Sequence, residues 1–368
     1  MIGGPRTGCE WREAALGFNA VLRRISLVLS VLSLAVSAAA LASGGGSDYS
    51  WHDTPTGSTA SLRGLSAVSA STAWSSGSLG TVLRTVNRGA TWQAVGPPGT
   101  ETLQFRDIEA FDADHAVILS IGGGSDSRIY RTSDAGQHWT LGFMNNDPSA
   151  FYDCMTFFDS RRGLALSDPP DGNKFRIIST NDGGRSWQVV NPAGMPPALA
   201  GEFAFAASGQ CITSAHGHRA WFATGGGAQA RVFRSDNRGR TWSVTATPMA
   251  SGPTAGIFAL AFRDQQHGLA VGGDFLLPTA SPDNFAWTGD GGSSWALVRG
   301  APPEYRSGAT WVNGHTVIAV GPSGSDISTN AGGSWQRFDD GSLHTTDCAS
   351  PGACWASGAD GRVAYLDR

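Results

Sequence analysis

The chain has 368 residues with a formal net charge of −4, and 40% of its residues are hydrophobic while 15% are charged. This length allows two ordinary domains or one large repeat domain, and the small negative charge gives no basic surface for a nucleic-acid partner. The 50 glycines and 13 tryptophans follow no collagen period, so they favour many short strands joined by tight turns.

The N-terminal segment has the order of a secretory signal. Two arginines, Arg23 and Arg24, precede an apolar run from Ile25 to Leu41, and small residues follow as far as Ala42. A basic segment, an apolar segment and a small-residue cleavage site in that order are typical of a signal peptide.

We therefore predict a signal region at residues 1–42, with a possible true start near Val21, and one exported domain over residues 43–368. Export places that domain in a secreted or periplasmic location. The apolar run is short and rich in Ser and Ala, so no stable membrane span is expected after cleavage, and an uncleaved anchor is the alternative.

An eight-residue pattern occurs six times along the rest of the chain. Each copy has a hydroxyl residue, then Asp or Asn, then Gly, and ends in Trp. The six tryptophans are 47, 48, 55, 53 and 40 residues apart, which is the length of one four-stranded propeller blade. The copies are Thr85–Trp92, Thr132–Trp139, Thr180–Trp187, Ser235–Trp242, Thr288–Trp295 and Ser328–Trp335. The pattern resembles the Asp-box, or BNR, repeat of sialidases and related propellers.

The chemistry of the pattern predicts a tight turn between two strands. Asp or Asn can bind backbone amides within the turn, Gly supplies a positive φ, and the Trp that follows can bury its ring against a neighbouring sheet. We therefore predict structural roles for the six Asp-box residues Asn87, Asp134, Asp182, Asn237, Asp290 and Asn330.

Each interval between tryptophans divides into four short strands. Alternating or fully apolar runs with turn residues between them are the signal for these strands. In the second interval the predicted strands are 105–111, 116–121, 128–132 and 139–143. In the fifth interval they are 257–262, 268–271, 285–288 and 295–298.

The two ends of the domain together supply a last blade. After the sixth repeat the chain has room for three strands, at 345–348, 353–357 and 362–366, and the aromatic segment 49–52 has no partners of its own. Pairing that segment with the last blade would close the ring and remove exposed edges. The prediction is an all-β, seven-bladed β-propeller whose last blade is closed by the N-terminal strand, with six or eight blades as alternatives.

The starts of the innermost strands bring polar side chains to one mouth of the central channel, on the face opposite the Asp-box turns. Three arginines around one mouth could hold a carboxylate or a phosphate with paired donors. The alternative is that Arg106 pairs with a nearby acid and that the other side chains are solvated. The predicted ligand-binding residues are Arg63, Arg106, Asp107, Tyr152, Asp153, Glu202, Tyr305, Arg306 and His344.

The loops that join the second and third strands on the same face are rich in Gly and Asp. Their carboxylates could hold a cation, but turn formation explains most of them. No nucleotide fingerprint is present because no helix follows the glycines, and no Cys or His spacing indicates zinc. We predict no cofactor and no metal.

Four cysteines lie in the predicted exported domain. Export permits disulfides, and the sequence leaves open whether Cys348 and Cys354 close a short loop. We expect Cys154 and Cys211 to be buried as small apolar residues.

Four further segments carry a family likeness: Phe105-Arg-Asp-Ile-Glu-Ala-Phe111, Phe203-Ala-Phe-Ala-Ala-Ser-Gly209, Gly256-Ile-Phe-Ala-Leu-Ala-Phe-Arg-Asp264 and Gly321-Pro-Ser-Gly-Ser-Asp326. With the repeated turns they make the chain resemble the photosystem II stability/assembly-factor family of Asp-box propellers, in its branch from non-photosynthetic bacteria. The resemblance implies a seven-bladed scaffold without catalysis, which binds another protein or a cofactor-bearing polypeptide during assembly. Together with the arginines at the channel mouth, it leads us to predict a monomer that binds a protein partner or an anionic ligand there.

The rival function is a carbohydrate-active enzyme, sialidase-like or another glycoside hydrolase. Sialidases share the Asp-box, but here Arg106 is followed by Asp107-Ile108 rather than by the sialidase signature. Other glycosidases use two carboxylates across the scissile bond, and the candidates for that role are Asp107, Asp153 and Glu202. The fold alone does not decide between binding and catalysis.

Overall fold

The computed structural model describes residues 48–215 and 217–368, and the predicted signal region at 1–42 lies outside them. The described chain is all-β and forms seven antiparallel sheets of four strands each. The prediction of a seven-bladed propeller is confirmed, and the alternatives of six and eight blades are excluded.

The strands run from the innermost to the outermost position within each of the first six blades. Blades 1 to 6 are β2–β5, β6–β9, β10–β13, β14–β17, β18–β21 and β22–β25, while blade 7 is β26–β28 with β1 at its outer edge. The strands are β1 (Ser50–Thr54), β2 (Leu62–Ala67), β3 (Ala73–Gly77), β4 (Val82–Thr85), β5 (Gln93–Ala94), β6 (Gln104–Ala110), β7 (Ala116–Ile121), β8 (Arg128–Thr132), β9 (Thr140–Met144), β10 (Tyr152–Phe157), β11 (Gly163–Ser167), β12 (Arg176–Thr180), β13 (Gln188–Val189), β14 (Ile212–Ala215), β15 (Arg219–Ala223), β16 (Arg231–Ser235), β17 (Ser243–Ala246), β18 (Ala255–Phe262), β19 (Gly268–Asp274), β20 (Phe285–Thr288), β21 (Ala296–Leu297), β22 (Gly308–Trp311), β23 (Val317–Gly321), β24 (Gly324–Ser328), β25 (Gln336–Asp339), β26 (Leu343–Cys348), β27 (Cys354–Gly358) and β28 (Val363–Asp367). Short 3-10 helices lie at Gly124–Asp126, Pro192–Gly194 and Ala359–Gly361.

Blade 7 is completed by the N-terminal strand, as predicted. Strand β1 pairs antiparallel with β28, in a register that runs from Ser50 opposite Asp367 to Thr54 opposite Val363. An ion pair between Arg362 and Asp53 (2.8 Å) adds to the seam. The ring is therefore closed by hydrogen bonds between the two ends of the propeller.

The six repeated turns each join the third strand of a blade to its fourth. In the turn Thr180–Trp187, the Asp182 carboxylate accepts hydrogen bonds from Thr180 Oγ1 (2.8 Å) and from the N–H of Ser186 (3.0 Å). Thr180 Oγ1 accepts one from the N–H of Gly184 (3.0 Å), whose φ of +83° suits glycine. The other five turns have the same bonds.

The tryptophans of the repeated turns fill the interfaces between blades. Trp92 of blade 1 packs edge-on against Trp355 of blade 7, with ring centroids 5.9 Å apart, and its Nε1 donates to Thr54 Oγ1 (3.1 Å). Each of the other five also lies in the apolar cluster between its own blade and the one before. The repeat thus fixes both the turn within a blade and the packing between blades.

Two disulfides lie within residues 48–215 and 217–368, and one of them corrects the sequence analysis. Cys154 and Cys211 are both buried, as expected, but they are bonded to each other between blades 3 and 4 rather than being separate apolar residues. Cys348 and Cys354 form the second disulfide, across the hairpin of β26 and β27. Two disulfides indicate an oxidising, extracytoplasmic location.

The described residues include no helix of the length and apolarity that a membrane crossing requires.

Candidate functional site

A β-bulge interrupts the innermost strand of five blades near its start. In β6, for example, Phe105 pairs with Ser120 and Asp107 with Leu119, which leaves Arg106 as the extra residue. A bulge re-aims the side chain that it inserts. The bulged residues are Arg63, Arg106, Asp153, Phe258 and His344. Four of the nine predicted mouth residues therefore owe their position to the same local device.

The channel at this mouth is filled by residues 203–210, which lead into the innermost strand of blade 4; we call this segment the plug. Arg63 Nη1 of blade 1 donates to the carbonyl of Ala207 (3.2 Å), and Arg106 Nη1 of blade 2 donates to that of Ala206 (3.1 Å). A loop therefore occupies this mouth of the channel.

The far side of the channel also holds the plug. Ser208 Oγ donates to the carbonyl of Ser307 in the approach to blade 6 (2.6 Å), and Thr345 Oγ1 of blade 7 donates to the Ser208 carbonyl (3.1 Å). Gln210 Nε2 reaches the carbonyls of Ala309 (3.0 Å) and Thr346 (2.9 Å). Because a segment of blade 4 binds blades 1, 2, 6 and 7, it crosses the whole channel.

Two guanidinium groups lie side by side at the plugged mouth. Desolvation lowers the pKa of Arg63, and desolvation followed by repulsion from Arg63 lowers the pKa of Arg106 to about 9. Neither side chain forms an ion pair with a carboxylate in the part of the chain that the structure describes; each makes one hydrogen bond, to a plug carbonyl. The predicted pairing of Arg106 with an acid is therefore not observed there, and both positive charges remain without a counter-charge.

His344 and Tyr305 complete the surroundings of the arginine pair. Burial and then the positive charges of Arg63 and Arg106 lower the pKa of His344 to about 2, so its imidazole is neutral. Burial raises the pKa of the Tyr305 phenol, while both arginines act in the opposite sense. The four residues form a cationic mouth, and Tyr305 links it to the ring of Phe258, whose centroid is 4.7 Å away.

Asp107 lies beside the plug and is held by the backbone of the next blade. Its Oδ2 accepts a hydrogen bond from the N–H of Met155 (2.6 Å). Burial raises the pKa of its carboxyl to about 8, despite this bond and one from the N–H of Ile108. A Cβ on Gly209 of the plug would lie 2.6 Å from Asp107 Oδ1, so the glycine allows the close approach.

Asp153 and Asp168 form a second acidic site, next to the start of the plug. Asp153 is buried, its Oδ2 has no hydrogen-bond partner, and burial with the charge of Asp168 raises its pKa well above the usual range. Burial raises the pKa of Asp168 to about 7, and its Oδ1 accepts from the N–H of Ala204 (2.8 Å). Asp168 thus anchors the plug.

Two other predicted residues are engaged in buried ion pairs. Glu202 is bound by Arg231 through both carboxylate oxygens and also accepts from Thr224 Oγ1 (2.6 Å). Arg306 is fully buried and pairs with Asp326 (2.5 Å) and Glu304 (3.0 Å). Both pairs tie the chain before an innermost strand to its own blade.

Tyr152 points away from the channel. Its ring lies in the apolar cluster between blades 2 and 3, with the centroid of Phe143 at 5.1 Å. The structure therefore brings Arg63, Arg106, Tyr305 and His344 together around the plug, with Asp107 beside it. It places Tyr152, Glu202 and Arg306 within the blades.

The opposite end of the channel carries carboxylates that the sequence analysis did not single out. Burial and the charges of Asp107 and Asp347 raise the pKa of Glu109, and burial raises that of Asp347. Asp347 lines a cavity of about 730 Å³ together with Gln210 and Trp311. Asp107 and Glu109 are two residues apart in one strand, and side chains two residues apart in a strand point to the same side. Having identified Asp107, the sequence analysis could therefore have placed Glu109 on the channel side as well.

Within residues 48–215 and 217–368, no group of three or more His, Cys, Asp or Glu side chains could hold a metal ion.

The fold and the site together define a seven-bladed β-propeller with a plugged channel, cationic at one end and acidic at the other. The chain is structurally similar, at low sequence identity, to YCF48, the photosystem II assembly factor. A structure described as YCF48 bound to D1 peptide has a TM-score of 0.63 and 13% identity, over 86% of this chain and 95% of that one.

Further solved structures share the fold. YCF48 from Cyanidioschyzon merolae has a TM-score of 0.63 and 14% identity, over 86% of this chain and 98% of that one. A GH74 xyloglucanase from Xanthomonas campestris has a TM-score of 0.53 and 15% identity, over 84% of this chain and 59% of that one. Identities this low establish the fold and nothing more. No family model and no curated protein matches the sequence.

Proposed function

We propose that this protein is an exported, non-catalytic scaffold that binds an acidic group of a protein partner at the plugged channel mouth. The observation that carries the proposal is the pair Arg63 and Arg106, two partly buried guanidiniums that share no carboxylate. A guanidinium has five N–H donors, and each arginine gives one of them to the plug. The other donors can bind a carboxylate in the paired geometry that guanidinium favours.

The likeness to YCF48 supports a polypeptide as the partner. That protein has been described in complex with a D1 peptide, and the present chain has the same seven-bladed architecture. The plug occupies the channel, so a ligand at this mouth meets the plug rather than an open channel. A surface of this kind suits a peptide laid across it.

The site gives less support to glycoside hydrolysis. That chemistry uses two carboxylates as acid and as base or nucleophile. Here Glu202 is held by Arg231, Asp153 is buried, and Asp107 is bonded to a backbone N–H beneath the plug. Arg306 pairs with Asp326 and Glu304, so it does not complete a triad of arginines around a sugar carboxylate.

The test is binding of synthetic acidic peptides to the purified protein, measured by calorimetry beside peptides in which Lys replaces the acids. Charge-assisted hydrogen bonds contribute about 1.5–3 kcal/mol each, so the double variant Arg63→Gln/Arg106→Gln should bind at least about tenfold more weakly. The exposed Arg161→Gln is the matched control and should bind as the unaltered protein does. Equal affinity of acidic and Lys peptides, or no loss in the double variant, contradicts the proposal.

A further inference from the structure

A loop of blade 5 presents two adjacent leucines to solvent on the same face as the plugged mouth. Residues 275–284 join β19 to β20, and within this loop Leu276 is 65% exposed and Leu277 is 54% exposed. Phe275, just before them, packs against Phe205 of the plug and Phe258, with ring centroids 6.4 and 6.2 Å away.

The leucines are exposed although their loop is well held. The N–H of Leu276 donates to Asp274 Oδ1 (2.9 Å), and the Leu277 carbonyl accepts from Ser281 Oγ (2.9 Å). The N–H of Tyr305 donates to the Pro278 carbonyl (3.0 Å), which ties the loop to the cationic mouth. A fixed backbone thus keeps two large apolar side chains in water, where burial against a partner would be favourable.

These leucines differ from the other exposed apolar side chains. Scattered single apolar residues are normal on a protein surface. Elsewhere in the described ranges, the large hydrophobic residues that are exposed are not neighbours in sequence: Leu79, Val86, Leu141, Met144, Val189 and Trp287. The pair in blade 5 is the exception.

An aromatic bridge connects the leucines to the arginine pair. Phe205 stacks on Phe258 with ring centroids 3.9 Å apart, and Phe258 also contacts Tyr305. The residue after Phe205 is Ala206, whose carbonyl binds Arg106. Phe205, Phe258 and Tyr305 are buried in one core cluster, against which the partly buried Phe275 packs. The buried rings therefore fix the leucine-bearing loop beside the arginine pair, so that one face of the propeller carries an apolar and a cationic site close together.

We infer that Leu276 and Leu277 bind apolar side chains of the same polypeptide segment whose acidic group binds Arg63 and Arg106. This inference rests on the proposed function and makes it specific: the partner is a peptide with an acidic residue a few positions from an apolar one. Charge complementarity selects the acid, because the cations at this surface have no internal counter-charge. The exposed leucines select the apolar residue.

The experiment is selection of short random peptides from a display library on three proteins: the unaltered chain, Leu276→Ser/Leu277→Ser and Arg63→Gln/Arg106→Gln. The unaltered chain should enrich peptides with an acidic and an apolar residue at fixed spacing. The leucine variant should keep the acidic preference and lose the apolar one, and its affinity for the best peptide should fall about tenfold or more. The arginine variant should lose the acidic preference.

Val189→Ser, at another exposed apolar side chain, is the control and should select the same peptides as the unaltered chain. If the leucine variant also selects them, the inference fails while the proposed function stands. If the unaltered chain shows no acidic preference, or enriches nothing, both fail. Dimerisation of the unaltered chain that the leucine variant abolishes, measured by light scattering, would assign the leucines to a second copy of the chain and overturn the inference.

Discussion

The two ends of the channel hold their ionisable side chains in the same way, although the side chains are basic at one end and acidic at the other. At the plugged mouth, Arg63 and Arg106 donate to backbone carbonyls of the plug. At the other end, Asp347 accepts from the N–H of Ala67 (2.8 Å), and Glu109 accepts from the N–H of Phe157. In both places the backbone of another blade holds an ionisable side chain that has no charged side-chain partner in the described residues. The two arginines keep a positive charge, whereas burial raises the pKa of Glu109 and of Asp347 and so favours their neutral form. Arg306 and Glu202 differ from all four because each is paired with an oppositely charged side chain.

The largest expected effect on the free energy of unfolding comes from removing the two disulfides, one of which lies next to the plug and the other at the opposite end of the channel. Cys211 directly follows the plug and is bonded to Cys154, at a separation of 57 residues, while Cys348 lines the opposite cavity and is 6 residues from Cys354. From loop-closure entropy, replacing the first pair by Ala should lower the free energy of unfolding by about 4 kcal/mol and the second by about 2 kcal/mol. Denaturant unfolding measures both, and an equal loss would mean that the disulfide at the plug does not restrain the longer loop.

Substitution of one glycine in the plug, compared with substitution of a glycine in open space, tests how closely the plug is packed. Gly209 has a φ of +76° and no room for a Cβ, whereas Gly172 has a φ of +72° with nothing within 4 Å of a Cβ. Gly172→Ala should cost about 1 kcal/mol from backbone strain, and Gly209→Ala about 3 kcal/mol because overpacking adds to that strain. Thermal and denaturant unfolding of the two variants should show this difference. Similar losses would indicate that the plug can move away from Asp107.

The pH dependence of stability tests the electrostatics of the channel. The pKa of Asp107 is raised from 3.8 to about 8 in the folded protein, so the folded state binds more protons than the unfolded state between those values. Its contribution is fully present below about pH 4 and is lost as the pH rises to about 8. Over that window the unaltered protein should lose at least about 1.4 kcal/mol, the equivalent of one pKa unit, relative to Asp107→Asn. Parallel stability curves for the two proteins would show that Asp107 titrates normally.

The smallest effect is expected at the repeated turns, far from the cationic mouth. Asp182 accepts hydrogen bonds from Thr180, from the N–H of Ser186 and from Ser186 Oγ (2.6 Å). If its role is structural, Asp182→Ala should lower the free energy of unfolding by about 1 kcal/mol and leave peptide affinity unchanged. Weaker binding by fully folded variant protein would place the partner on the face of the repeated turns instead.

The blades could be predicted because their signals are local. The turn Thr180–Trp187 contains its own hydrogen-bonding groups, and the strands on either side alternate within a few residues. The seam was also predictable, since the segment 49–52 is an aromatic strand without a partner of its own; the strand itself is Ser50–Thr54. Aligning the starts of the innermost strands identified Arg63 and Arg106 as channel residues. This alignment succeeded because the structure has the same bulge at the same point of both blades.

The rest of the site depends on contacts between residues distant in sequence. Ser208 of the plug lies 99 residues from Ser307 and 137 from Thr345, and nothing in its own segment indicates those partners. Arg306 lies just before the innermost strand of blade 6 and Arg106 lies near the start of that of blade 2, but Asp326 of β24 neutralises Arg306. Cys154 and Cys211 lie on adjacent blades, so their bond could be recognised only once the blades were placed side by side.

The seam of blade 7 has a consequence for how the ring folds. Thr54 and Val363 are 309 residues apart, so the contact that closes the ring joins almost the full length of the propeller. The chain entropy lost on closing so long a loop is about 5 kcal/mol beyond a constant, and the five register pairs of β1 with β28 must offset it. Until β28 has been synthesised, blades 1 and 6 lack the neighbour that buries their open faces. The ring should therefore close late and in one cooperative step, with slow folding typical of pairings so distant in sequence.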